Sequence, residues 1–130
     1  MKKERQPFSA SKRFGSFIYA FNGLRVLVRE EHNSWIHIAA AIVAIVLGFV
    51  CHISTYEWIA IVFSIGLVIA LEIVNSAVES LADFVSPERH DSIKKIKDLA
   101  AAAVLIGAFT ALTVGLLIFL PKIIAYACPA

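Results

Sequence analysis

Glu72, Asn75, Glu79 and Asp83 follow directly on Trp58–Ile69, a run without a single charge. Their spacing of three, four and four residues puts all four on one narrow face of a helix, with Ser76 on the same side. Carboxylates at such a boundary can do two kinds of work. One that is still within apolar sequence, as Glu72 is, could take a proton from a hydroxyl held at that depth. One nearer water, such as Glu79, could hold a hard cation, since Mg²⁺ takes oxygen ligands and is usually bound by one or two carboxylates together with phosphates and water. A solvated helix end would account for Asp83 and for Glu79. It would not account for Glu72, which is costly in apolar surroundings unless it faces a polar cavity or is protonated. Interhelical hydrogen bonding by Glu72 and Asn75 is the other structural reading.

Three apolar segments surround this stripe: Ile36–Ile53, Trp58 to about residue 76, and Leu99–Leu120. Each has roughly the 17–25 residues of a spanning helix. The composition agrees. The chain has 130 residues, 59% of them hydrophobic, against about 45–50% for a soluble domain, and its mean hydropathy is +0.79. The length suits one domain over residues 1–130. A helical segment over about residues 8–30, with Phe14, Phe17, Ile18, Phe21, Leu24 and Val28 at helical spacing and Lys12, Arg13, Arg25 and Arg29 beside them, reads as an amphipathic helix on a membrane surface. Packing against protein is the alternative for that helix. Small residues at Ala39–Ala41, Gly48, Ala100–Ala103 and Gly107 allow close helix approach.

Charge orients these elements. The connector "STYE" has no Lys or Arg, whereas the second connector carries Arg89, Lys94, Lys95 and Lys97, and the N-terminal segment is basic as well. The positive-inside rule puts the N-terminus and the second connector in the cytoplasm. Glu57 then marks the outer end of the second span. Glu72 lies about 22 Å deeper at ~1.5 Å per residue, near the inner edge of a hydrocarbon core of roughly 30 Å. A lipid's head hydroxyl sits at that level, and a water-soluble cosubstrate reaches it from the cytoplasm. Lys94, Lys95 and Lys97 stand on that side to neutralise phosphates, Lys97 and Asp98 enter the interface beside the stripe, and Glu30 and Glu31 offer a further metal ligand. This set suits phosphoryl transfer from a nucleotide to a lipid alcohol, in which positioning and charge neutralisation do most of the work.

Other classes fare less well. The formal charge of +2 gives no reason to expect nucleic acid. No P-loop, GxGxxG, HExxH or protein-kinase motif is present. The first 30 residues are basic with no apolar core, so no cleavable signal peptide is expected. His32 and His37, five apart, do not share a helix face and read as interface residues; Cys51 and Cys128 both fall on the outer side and read as free thiols, with a disulfide between them as the alternative. An ion-coupled carrier subunit would want its site near the midplane on broken helices, but the stripe is off-centre and the spans show no internal proline. A non-catalytic scaffold leaves the alignment of four polar side chains without a reason.

The motif "EIVNSAVESLAD" resembles the signature of the prokaryotic diacylglycerol kinase family, E-x-[LIV]-N-[ST]-A-[LIV]-E-x-x-x-D, at Glu72, Asn75, Ser76, Ala77, Glu79 and Asp83. "KDLAAAAVLI" from Lys97, and the stretch from Gly23 to Glu31, are similar to two further blocks of that family, and the likeness covers about residues 8–120. The resemblance implies an all-α membrane protein with a surface helix and three spans per subunit. It implies a homotrimer with active sites at subunit boundaries near the cytoplasmic face of a bacterial inner membrane, and a requirement for Mg²⁺ and ATP. Carried over, it makes Glu72 the catalytic base and Asn75 the residue that positions the reacting groups. It gives Glu31 and Glu79 the metal. It puts Lys12, Tyr19, Glu31, Glu79, Glu88, Arg89, His90, Lys97 and Asp98 at ATP, and Lys12, Glu72 and Ala101 at the lipid. Lys12 stands where the family often has arginine, keeping charge but losing the bidentate fork. "EHNSWIHI" resembles the undecaprenol-kinase branch, which tends to read E-x-N-x-R-I-H, with Trp35 in the arginine position. The acceptor expected first is diacylglycerol, giving phosphatidic acid; undecaprenol is the alternative.

Overall fold

Four helices account for nearly all of the chain: α1 Ala10–Glu30, α2 His32–Val50, α3 Thr55–Val85 and α4 Asp91–Ala127. The computed structural model describes residues 10–88 and 90–127, with the backbone alone for residues 10–13 and 127. Phe8, Arg89, Cys128 and the side chain of Lys12 therefore lie outside the described residues. The all-α expectation holds, and α2, α3 and α4 are each long and apolar enough to cross a membrane.

α3 and α4 overrun the expected spans, whereas α2 begins at His32, ahead of Ile36, and ends at Val50, short of Ile53, where the turn to α3 starts. At about 1.5 Å per residue, a 31-residue α3 is ~46 Å long and a 37-residue α4 ~55 Å, against a hydrocarbon core of roughly 30 Å. Both must project beyond the bilayer. The polar stripe of α3 begins at Glu72 within the apolar segment and runs out along that projection. Pro121 is also inside α4 rather than after it. Proline removes one backbone hydrogen bond, yet the helix continues: Phe119 is buried just before it, and Lys122 just after it pairs with Glu57 at 3.1 Å.

The turn between α2 and α3 is tightly specified. The His52 N–H donates to the Phe49 carbonyl and the Ile53 N–H to the Gly48 carbonyl, at 3.3 and 3.1 Å, with His52 at φ 48°. This is a Schellman ending with histidine at the position usually given to glycine. Ser54 then caps α3. Its hydroxyl accepts from the Glu57 N–H at 3.4 Å, and Glu57 Oε2 accepts from the Ser54 N–H at 2.6 Å, a capping box worth about 1 kcal/mol. Ile53, Ile61 and Phe119 make the core at this end, with Leu47, Trp58 and Val114 packed on it.

α3 packs most extensively on α4. A Cβ on Gly107 would stand 2.6 Å from Leu71 Cδ1, and one on Gly48 2.6 Å from the Trp58 ring, so these two glycines permit close contact between neighbouring helices. Elsewhere the apolar side chains face outward: Ile42, Val46, Val62, Phe63, Ile106 and Phe109 are all more than half exposed. On α1, Phe14, Phe17, Ile18 and Phe21 are exposed as well, while Leu27 is buried. An apolar surface of this extent is what lipid or other subunits would cover.

Candidate active site

Glu72 is the most deeply buried ionisable side chain among the described residues, at 2% exposure. Leaving a carboxylate unpaired there would cost several kcal/mol. α2 supplies the partners. His37 Nε2 lies 2.9 Å from Glu72 Oε1, and Asn33 Nδ2 donates to the same oxygen at 3.4 Å. Residues 33 and 37 are one helical turn apart and so reach α3 from one face of α2. His37 also borders an apolar cleft of about 400 Å³ between α2, α3 and α4.

The reading of His37 as an interface residue named no partner; the structure gives it one in Glu72. The useful signal in "EHNSWIHI" is the four-residue step from Asn33 to His37, which aligns two donors.

One turn further along α3, Asn75 Nδ2 donates to Glu79 Oε1 at 3.0 Å. Both residues are half-buried. Asn75 Oδ1 and Ser76 Oγ are buried without a hydrogen-bond partner, so an uncommitted amide oxygen stands beside a carboxylate. That is a hard-oxygen donor set of the kind Mg²⁺ accepts. Among the described residues no three His, Cys, Asp or Glu side chains gather into a metal site. A cation that arrives with a nucleotide needs only one or two protein carboxylates.

Glu31 is half-buried at the corner between α1 and α2, where it is the N-cap of α2 and its side chain makes no capping bond. The corner itself is closed by Ser34, which is fully buried. The Ser34 hydroxyl is 2.7 Å from the Glu31 carbonyl and 3.2 Å from that of Leu27. Among the described residues the Glu31 carboxylate makes no capping bond and stands on a fixed backbone.

The last acid of the stripe behaves differently. Asp83 is exposed and accepts from Lys97 Nζ at 2.8 and 3.1 Å, which links α3 to the start of α4. Lys97, Asp98, Glu88 and His90 border a polar cleft of about 590 Å³ with Asp83 and Lys94. Four of the residues expected at ATP are thus brought together, with Glu88, His90 and Asp98 exposed. His90 Nδ1 accepts from the Ser92 N–H at 3.3 Å. Tyr19 is exposed on α1 and Ala101 on α4, and neither borders this cleft.

The model of the prokaryotic diacylglycerol kinase family matches residues 18–119. The chain is 39% identical over 110 residues to an undecaprenol kinase of Bacillus subtilis, covering 85% of this chain and 89% of that protein. It is 32% identical to a diacylglycerol kinase of Synechocystis over 85% of this chain and 63% of that one. To a diacylglycerol kinase of Helicobacter pylori it is 33% identical, over 72% of this chain and 73% of that one.

Proposed function

This chain belongs to the prokaryotic diacylglycerol kinase family, and we propose that it transfers the γ-phosphoryl group of MgATP to the hydroxyl of a polyprenol of the undecaprenol type. Family membership makes it a multi-pass membrane kinase acting on a lipid alcohol, which displaces the carrier and scaffold readings. The observation that carries the catalytic assignment is the buried Glu72 carboxylate held from α2, on the same helix face as the Asn75–Glu79 pair.

In this reading the lipid hydroxyl approaches Glu72 from the bilayer. Glu72 takes the hydroxyl proton as the oxygen attacks the γ-phosphorus, and the bond to the β-phosphate oxygen breaks to release ADP. Asn75 holds Glu79 and directs its free amide oxygen toward the reacting groups. Mg²⁺ arriving with ATP would be held by Glu31 and Glu79 and would neutralise phosphate charge. Lys97 exchanges its ion pair with Asp83 for the phosphates, with Lys12 and Arg89 as further cations. Tyr19, Glu88, His90 and Asp98 line the nucleotide, and Lys12 and Ala101 flank the lipid. The N-terminus and the α3–α4 connector lie in the cytoplasm of a bacterial inner membrane, and the working unit is a homotrimer.

Diacylglycerol was the acceptor expected first. The 39% identity to an undecaprenol kinase over most of both chains favours the polyprenol, and Glu31, Asn33 and His37 keep the pattern of that branch. A panel of lipid alcohols assayed with the purified protein and MgATP tests both levels. Phosphorylation of undecaprenol with the higher kcat/KM is expected. A preference for diacylglycerol would overturn the acceptor, and absence of transfer to any lipid alcohol would overturn the kinase reading.

A further inference from the structure

We infer that His37 is a positioning residue for catalysis: its Nε2–H holds Glu72 Oε1 and so presents Oε2 to the acceptor hydroxyl. The inference rests on Glu72 being the base and adds a residue on another helix through which that base is aimed. Three observations support it. His37 Nε2 is 2.9 Å from Glu72 Oε1. Asn33 Nδ2 donates to the same oxygen at 3.4 Å, so among the described residues both polar side-chain contacts to Glu72 fall on one oxygen. The carboxylate is 2% exposed, so water is a poor substitute for either donor.

The geometry has a chemical consequence. A carboxylate on a long side chain has freedom about its terminal torsions, and a buried one would turn toward whichever donor is nearest. Two donors on Oε1 fix the plane of the group and leave Oε2 as the oxygen that takes the proton. His37 borders the apolar cleft between the spans. Because α2 carries both donors and α3 carries the base, the α2–α3 contact belongs to the catalytic apparatus. A misplacement of about 1 Å at a reacting group can cost on the order of 10²-fold in rate.

The test compares three substitutions at one position, assayed with MgATP and lipid alcohol on full-length protein in detergent. His37→Gln keeps an N–H near the place of Nε2 and should retain kcat within a few-fold. His37→Asn is polar but about one bond too short, and His37→Leu lacks the donor; both should lower kcat by about 10–10²-fold with the KM for MgATP unchanged. The same changes are then made in a Glu72→Gln background. If His37 acts through Glu72, they should lower the residual activity no further. His37→Asn serves if His37→Leu does not fold. Wild-type kcat in His37→Asn would overturn the inference, as would an equal loss in the two backgrounds. Near-normal turnover of Glu72→Gln alone would instead overturn the base assignment on which it rests.

Discussion

Glu72 and Glu79 are both acids on one helix face, but their surroundings separate their proposed roles. Glu72 is buried and held by donors that a glutamine could also satisfy, through its own carbonyl oxygen. Glu72→Gln should therefore fold normally and bind MgATP as before, while turnover falls by about 10²–10⁴-fold, the usual contribution of general base catalysis. Parallel loss of nucleotide binding, read by a fluorescent ATP analogue, would make Glu72 a metal ligand instead. Glu79→Gln and Glu31→Gln remove one charged oxygen each. Both should shift the Mg²⁺ dependence of activity to higher concentration. An unchanged Mg²⁺ titration in both variants would remove the two carboxylates from the metal.

At the scale of elements, the α2–α3 turn and the two helix projections matter most. His52 adopts φ 48°, which costs a residue with a Cβ roughly 1–2 kcal/mol relative to glycine's freedom. His52→Gly should raise the thermal midpoint in detergent, measured by circular dichroism, without altering turnover, since the turn is at the far end of α3 from Glu72. Gly48→Ala acts on the same corner in the opposite sense. Its Cβ would press on the Trp58 ring, and overpacking of this kind costs about 1–3 kcal/mol. Orientation is read by labelling intact cells, in a background without Cys51 and Cys128. Tyr56→Cys, at a position 85% exposed, should react with a membrane-impermeant maleimide from outside. Ser92→Cys should react only after permeabilisation. The reverse pattern would put the proposed site on the wrong side of the membrane.

For the whole molecule, the exposed apolar faces of α2, α3 and α4 leave the single chain incomplete as a folded object. Lipid can cover part of that surface. In the proposed homotrimer, neighbouring subunits cover the rest, and two side chains proposed for the nucleotide that stand apart in one chain, Tyr19 on α1 and Lys97 on α4, meet across a boundary. Native mass spectrometry from mild detergent should give a trimer mass. A monomer that keeps full turnover would exclude a site shared between subunits.

The sequence alone determined the four helices, because hydropathy over 59% of residues and the 3.6-residue period leave no other way to satisfy backbone groups in lipid. It also determined the stripe, because residues three and four apart on α3 share a face whatever packs against it. Helix lengths were less legible: α3 and α4 run past the apolar segments, since a helix does not end where a bilayer does, and Pro121 is carried within α4 by contacts on either side. The partners of Glu72 were decided by tertiary structure. Asn33 and His37 are 39 and 35 residues away from it in the chain, and nothing in a helical period says which face of α2 meets which face of α3. That choice goes with the close approach of α2 to α3 at Gly48 and with the need of a buried carboxylate for polar partners.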